Sequence, residues 1–247
     1  MTAGFRVFPL EGIPEVEEGD DLVALLAEAA EQAGGLEDAD VLVVAQKIVS
    51  KAEGRVITLD GIEPSERAFE LAGDHDPRHV EAILRESARV VRSRPPLVIS
   101  ETRHGFVCAS AGVDASNAKG EGTLVLLPVD PDASAARIRD GLMARTGREV
   151  GVIVSDSFGR PFRQGTTDVA LGVAGITPLL DLTGRRDRAG YELRATVIAV
   201  ADELAGAAQL VMGKTDGKPA AVVRGIDLRG KGAGRDLLIP PERDLFR

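Results

Sequence analysis

Short apolar runs separated by charged or Gly-rich stretches set the pattern of this chain. Residues 40–46 (DVLVVAQ) and 150–154 (VGVIV) each predict a buried strand, because an unbroken apolar run of that length bounded by polar residues fits a covered strand. Residues 22–33 (LVALLAEAAEQA) predict an amphipathic helix that follows the acidic EEGDD and stops at Gly34 and Gly35. Further helices are expected over 64–72, 77–92, 132–146 and 202–211, and further strands over 97–100, 106–109, 123–127, 195–200 and 220–223. The stretch 47–55 (KIVSKAEGR) leaves the first buried strand carrying two lysines, and 112–122, 158–168 and 212–219 read as loops. The irregular alternation predicts an α+β fold rather than a repeated βαβ fold. A single domain over 1–247 is expected, with a candidate subdomain boundary near 128–132.

Composition narrows the function classes. At 247 residues the chain can bury a sizeable core, and with 3% aromatics and no Trp that core must be aliphatic. The net charge of −9 argues against general nucleic-acid binding, and requires local cations or backbone N–H groups if an anionic nucleotide is bound. The lone Cys108 excludes an intramolecular disulfide and a multi-thiolate zinc site. The start MTAGFRVFPLEG lacks the features of a signal peptide, and no window approaches the ~20 apolar residues of a membrane helix, so a cytoplasmic protein is expected.

Five constellations could carry chemistry. Asp114 and Asn117 in a Gly-flanked loop suit a hard cation or polar ligand, the plainer reading being an Asx-type turn. Asp156, between Ser155 and Ser157 at the end of VGVIV, would stand at a sheet rim, where nucleotide enzymes hold Mg²⁺; a turn or helix cap is the alternative. Lys47 and Lys51, beyond the first buried strand, are either solvated or phosphate partners, and no Walker pattern is present. The loop 212–219, with Lys214 and Thr215, could offer N–H groups to an anion or simply end a helix. Arg160, Arg163, Arg185, Arg186 and Arg188 read as a solvated basic face balanced by Asp181 and Asp187. His75 and His79 are separated by Pro77, which speaks against a zinc pair on one helix face, and Cys108 reads as core.

The motifs taken together resemble a known family. Gly12-Ile13-Pro14, Glu18-Gly19-Asp20-Asp21-Leu22, VVAQKIVSKAEGR (Val43 to Arg55), HGFVCA (His104 to Ala109) and AGVDASN (Ala111 to Asn117) occur in order. LPVDPD (Leu127 to Asp132), SDSFGRP (Ser155 to Pro161), Arg163 with Gly165-Thr166-Thr167-Asp168, and Val222-Val223-Arg224-Gly225 come after them. In this order the chain resembles the F420-0:γ-glutamyl ligase (CofE) family along nearly its whole length. The resemblance implies CofE-like mixed sheets with flanking helices, two closely associated subdomains and an intertwined homodimer. It implies a ligase that uses GTP with one or two Mg²⁺ or Mn²⁺ ions, K⁺ being a further candidate cation, to add L-glutamate to F420-0 and then a γ-linked glutamate to the product. The reaction would run through an acyl phosphate.

By position, the resemblance assigns Asp114 and Asp156 to one metal and Ser157 to a second. Lys51 joins the two aspartates as a candidate catalytic residue. Ile13, Pro14, Glu15, Val16, Gln46, Lys51, Asn117, Met212, Gly213, Lys214 and Thr215 are assigned to GTP. Two departures stand out: Gln46 replaces the Ser of some members, and Lys214 replaces a Gln typical of archaeal members, where a protonated ammonium cannot ligate a metal. Some members also carry a fused flavin-binding domain that these 247 residues do not include. A ligase for another carboxylate, a non-catalytic nucleotide-binding module and a structural dimerisation protein are the competing readings.

Overall fold

The computed structural model describes residues 4–245. Its centre is a mixed five-stranded sheet in the order β1-β12-β2-β8-β9. These strands are β1 (Arg6–Leu10), β2 (Val41–Ala45), β8 (Gly151–Gly159), β9 (Thr166–Ala174) and β12 (Ala220–Arg224). Only β2 and β8 run parallel; every other neighbouring pair is antiparallel. The apolar runs read as buried strands are the two central parallel ones, and they are apolar throughout because helices cover both faces.

Alternation along the strands divides the core. Leu42, Val44, Val152, Val154 and Val222 point to one face, under α1 (Leu22–Gln32), α2 (Gln46–Ala52) and α5 (Pro131–Thr146). Val41, Val43, Ile153, Val173 and Val223 point to the other, where α6 (Val200–Met212) packs Ala201, Leu204, Ala205 and Ala208 against them. Small residues let both layers approach closely. At Gly172 of β9 a Cβ would collide with the backbone carbonyl of Pro131, so glycine is required for the start of α5 to cross there.

A separate apolar cluster lies in the chain between α2 and α5. It joins α3 (Glu66–Ala72) and α4 (Pro77–Glu86) to the sheet of β4 (Ser87–Arg94), β5 (Leu97–Thr102) and β6 (Val107–Ala109), and to the pair β3 (Val56–Thr58) and β7 (Thr123–Val125). A two-stranded ribbon of β10 (Leu180–Asp181) and β11 (Val197–Ile198) completes the elements. The mixed α+β class is therefore as expected.

Four local expectations need correction. The strand expected over 40–46 ends at Ala45, and Gln46 instead opens helix α2, which carries both lysines of the following stretch. The helix expected over 77–92 ends at Glu86, where the Ser87 hydroxyl donates to the Ile83 carbonyl, and Ser87–Arg94 becomes a strand paired with β5. Strand pairing overrides local helix propensity there, favoured by β-branched Val90 and Val91. The expected loop 158–168 narrows to residues 160–165, the tip of a hairpin: β8 runs on to Gly159 and β9 begins at Thr166. The strand expected over 195–200 shrinks to β11, because α6 starts at Val200. Strands β1, β3, β9 and β10 are additions to the elements expected from the pattern. Pro77 opens α4, leaving His75 outside it. Among the described residues no helix is long and apolar enough to cross a membrane.

An ion pair ties the last sheet strand to the segment before β2. Arg224 donates from Nε to Asp40 Oδ1 at 2.9 Å and from Nη2 to Oδ2 at 2.7 Å, while Asp40 itself is 2% exposed. Arg224 also reaches the Gly35 carbonyl and lies 5.4 Å over the Phe8 ring. Removing one partner would strand a buried carboxylate. Arg224→Leu should therefore cost about 3–5 kcal/mol of unfolding free energy, measured by urea denaturation; a loss under about 1 kcal/mol would show that the pair acts as a surface bridge.

Candidate functional site

Strand directions bring five chain segments to one rim of the central sheet. Parallel β2 and β8 both end there, in the register Ala45 opposite Ser155. Antiparallel β12 begins there, with Ala220 opposite Val44, and β1 ends beside it, with Leu10 opposite Ala220. Strand β9 enters from the same side, with Asp168 opposite Ser157. The segments adjoining these strand ends therefore converge: residues 11–16, α2, Ser155–Ser157, Asp168, and the loop between α6 and β12. Together they line a cleft of about 340 Å³.

Every position assigned to a nucleotide by the resemblance lines this cleft, although the segments lie far apart in sequence. Ile13, Pro14, Glu15 and Val16 form one wall. Gln46 and Lys51 stand on α2, Asn117 comes from the loop before β7, and Met212, Gly213, Lys214 and Thr215 close the opposite side. Gly213 caps α6 with φ +64°, so the helix-end reading of this loop and its place in the cleft are both true. Lys51, 7% exposed, pairs with Glu15 Oε1 at 2.5 Å. Gln46 is 1% exposed; its Oε1 accepts from the Ser50 hydroxyl at 2.8 Å, while its Nε2 has no partner. A buried amide donor left unpaired costs about 1–3 kcal/mol, and this one lines the cleft.

The candidate metal residues fall into two groups. Asp114 accepts from Lys47 Nζ at 2.6 Å, and from the Ser116 amide and hydroxyl at 2.7 and 2.8 Å. The Asx-type turn is thus real, and the same carboxylate pairs with Lys47, which lines the cleft, while Asp114 itself is not one of the lining residues. Burial raises the pKa of Asp114, but Lys47 and the Ser116 donors outweigh it and hold the group below its ordinary value. Asp156 is pushed up to about 6, chiefly by burial and further by the negative charges of Asp168 and Asp114, with Lys47 and the Ser157 amide opposing. Asp114, Lys47 and Asp156 are therefore one electrostatic unit.

Ser157 belongs elsewhere. It donates to Asp168 Oδ1 at 2.6 Å and accepts from Gln209 Nε2 at 3.2 Å and Lys214 Nζ at 3.4 Å. One donated and two accepted bonds use the full capacity of a hydroxyl, so Ser157 has no lone pair free for a cation in this arrangement. The Ser155 hydroxyl also donates to Asp168, and the Asp168 amide donates to Gln209 Oε1.

Three residues of the cleft carry little individual signal in the sequence. Lys47 is marked there only as a strand-exit lysine beside Lys51. Asp168 is hidden at the end of a segment that reads as a loop, and Gln209 by its place inside a helix. The signal that could have found Asp168 is Thr-Thr-Asp preceding the apolar VALGVA, which marks the entry of a buried strand.

The remaining candidates lie outside the cleft. The five arginines of the basic face are exposed, and Asp181 and Asp187 accept backbone amides at 2.8 and 2.9 Å instead of pairing with them. Cys108 is buried, which pushes its thiol up to about 12, so it is an unreactive core residue.

The raised pKa of Asp156 has a definite sign. The folded chain holds this proton up to about pH 6, whereas the ordinary value is 3.8. The folded state binds more protons in that window, so stability falls as pH rises through it. Asp156→Asn should stabilise the metal-free protein at pH 8 by up to about 3 kcal/mol, with little effect at pH 4, in urea denaturation at both values. An equal effect at both would mean that the carboxyl titrates normally.

Comparison with known proteins agrees with the motifs. Residues 12–225 match the family described as F420-0:Gamma-glutamyl ligase. Coenzyme F420:L-glutamate ligase of Methanothermobacter thermautotrophicus is 49% identical over 251 residues, covering 99% of both chains. The proteins of the same name from Methanopyrus kandleri and Archaeoglobus fulgidus are 47% and 44% identical, covering 99% and 98% of this chain and 99% and 96% of their own. With the match extending over nearly its full length, the chain belongs to the F420-0:γ-glutamyl ligase family.

Proposed function

We propose that this chain joins L-glutamate to coenzyme F420-0, driven by GTP, and then adds a γ-linked glutamate to the product. The names of its relatives support the acceptor and the amino acid. The observation that supports a nucleotide in the cleft is the convergence of Ile13–Val16, Gln46, Lys51, Asn117 and Met212–Thr215 on one cavity. The choice of GTP rests on the family resemblance.

The residues fit the chemistry. A carboxylate is a poor acyl donor, so its oxygen first attacks the γ-phosphorus of the nucleotide, with the nucleoside diphosphate as leaving group. The glutamate amine then attacks the acyl carbon, phosphate leaves, the nitrogen loses a proton and an amide forms. Such a sequence depends mainly on positioning and charge. In a chain of net charge −9, the lysines lining the cleft (Lys47, Lys51, Lys214 and Lys218) supply the local positive charge a triphosphate requires. Lys51, held by Glu15, would bind phosphate, and the unpaired Gln46 Nε2 would donate to the nucleotide.

Asp114 and Asp156 are hard oxygen donors suited to Mg²⁺ or Mn²⁺, cations that share their shell with phosphate and water. Among the described residues no group of three or more His, Cys, Asp or Glu is placed to hold a metal alone. A divalent cation held by these two aspartates would neutralise charge at the phosphate oxygens. A second cation at Ser157 would have to displace Lys214, whose Nζ lies 3.4 Å from the hydroxyl that Asp168 and Gln209 also hold; with Lys214 in place, that lysine is the positive charge at that end.

Incubation of the protein with F420-0, L-glutamate, GTP and Mn²⁺, and then mass spectrometry, should give products heavier by whole glutamate residues only when GTP is present. No product, with GTP still bound, would redirect the assignment to another acceptor acid. Asp156→Ala should lower turnover at least about a hundredfold, and Lys51→Ala should weaken GTP binding about tenfold. Near-normal rates in the first, or unchanged GTP affinity in the second, would remove that residue from its role.

A further inference from the structure

Lys47 is the cation that pairs with Asp114, one of the two candidate metal aspartates. Its Nζ lies 2.6 Å from Asp114 Oδ2, with the lysine side chain 12% exposed. Helix α2 begins at Gln46, immediately after β2, so the backbone of Lys47 is fixed at the sheet rim next to Ser155–Ser157. Asp114 is fixed too: its amide and carbonyl both bond Val125 of β7, at 3.0 and 2.9 Å. Asp156 senses the charges of both Lys47 and Asp114. A half-buried carboxylate needs a cation beside it to stay ionised, and for Asp114 the chain supplies that cation itself. An ammonium carries three donors and no acceptor, so Lys47 cannot share a divalent ion's shell; ion and ammonium compete for the same oxygens.

We propose that Lys47 is a tethered counter-cation that holds Asp114 until nucleotide arrives, so that divalent-cation binding is coupled to nucleotide binding. The proposal rests on the reading above that a divalent cation and a nucleotide share this cleft. Lys47 also lines the cleft, so an incoming phosphate offers its ammonium a second anionic partner and releases Asp114. The coupling is reciprocal: bound cation strengthens nucleotide binding by the same factor. Lys51, one turn further along α2, is paired with Glu15 instead and takes no part in this exchange.

The test is calorimetric titration of Mn²⁺ into the wild type, Lys47→Met and Lys47→Arg, each with and without a non-hydrolysable GTP analogue. Without nucleotide, Lys47→Met should bind Mn²⁺ about tenfold tighter than the wild type, and Lys47→Arg should behave like the wild type. The analogue should tighten Mn²⁺ binding about tenfold or more in the wild type and by much less in Lys47→Met. Should Lys47→Met fail to fold, Lys47→Gln, which keeps a hydrogen bond to Asp114 without the charge, takes its place. Wild-type binding with the analogue but no tightening in the uncharged variant would overturn this proposal alone. No Mn²⁺ binding by the wild type with the analogue would overturn the cation reading and this proposal with it.

Discussion

The parallel pairing of β2 with β8 is the constraint on which the site depends. Parallel neighbours end at the same side of a sheet, so the residues following Ala45 and Ser155 must meet. The antiparallel strands β12, β1 and β9 then bring their connecting ends to that rim. A slip of one residue between β2 and β8 would turn every side chain of one strand to the other face. Such a slip would drive Ser155–Ser157 out of position.

Charge is handled locally rather than by the chain as a whole. Three carboxylates stand around the rim, Asp114, Asp156 and Asp168, and each is given its own environment. Asp114 is held ionised by Lys47 and Ser116, Asp156 is left partly desolvated with its pKa pushed up to about 6, and Asp168 accepts two serine hydroxyls. Alternation along β8 explains the split: Ser155 and Ser157, two apart, face the same neighbour, whereas Asp156 between them faces the other side. One end of the site thus holds two carboxylates of different charge state, and the other is a closed hydrogen-bond network ending in Lys214.

The segment between α2 and α5 adds the residue that the central sheet cannot supply. Its own aliphatic cluster anchors β7, and the paired backbone bonds between Val125 and Asp114 hold the latter against it. Asp114 and Lys47 are 67 residues apart and still meet at 2.6 Å, so the acidic pair exists only where this unit packs on the sheet. The stability of that packing and the geometry of the site are therefore linked.

The central strands, α1, α5, α6 and the order of the motifs were legible in the sequence, because long aliphatic runs and capped helices carry their own periodic signal. Family membership was legible too, since the blocks from Gly12 to Gly225 occur in order. Pattern alone did not show that Lys47 and Lys51 ride on a helix or that Ser87–Arg94 is a strand, since pairing with distant segments decides both. Nor could it separate Ser157 from Asp156, or find Asp168 and Gln209, because hydrogen-bond capacity is spent on partners that only the fold brings near. The sequence by itself determined which residues could do chemistry and which elements would be buried. The tertiary structure decided which of those residues share a cleft and which cation each carboxylate meets, because both depend on strand direction and register rather than on local pattern.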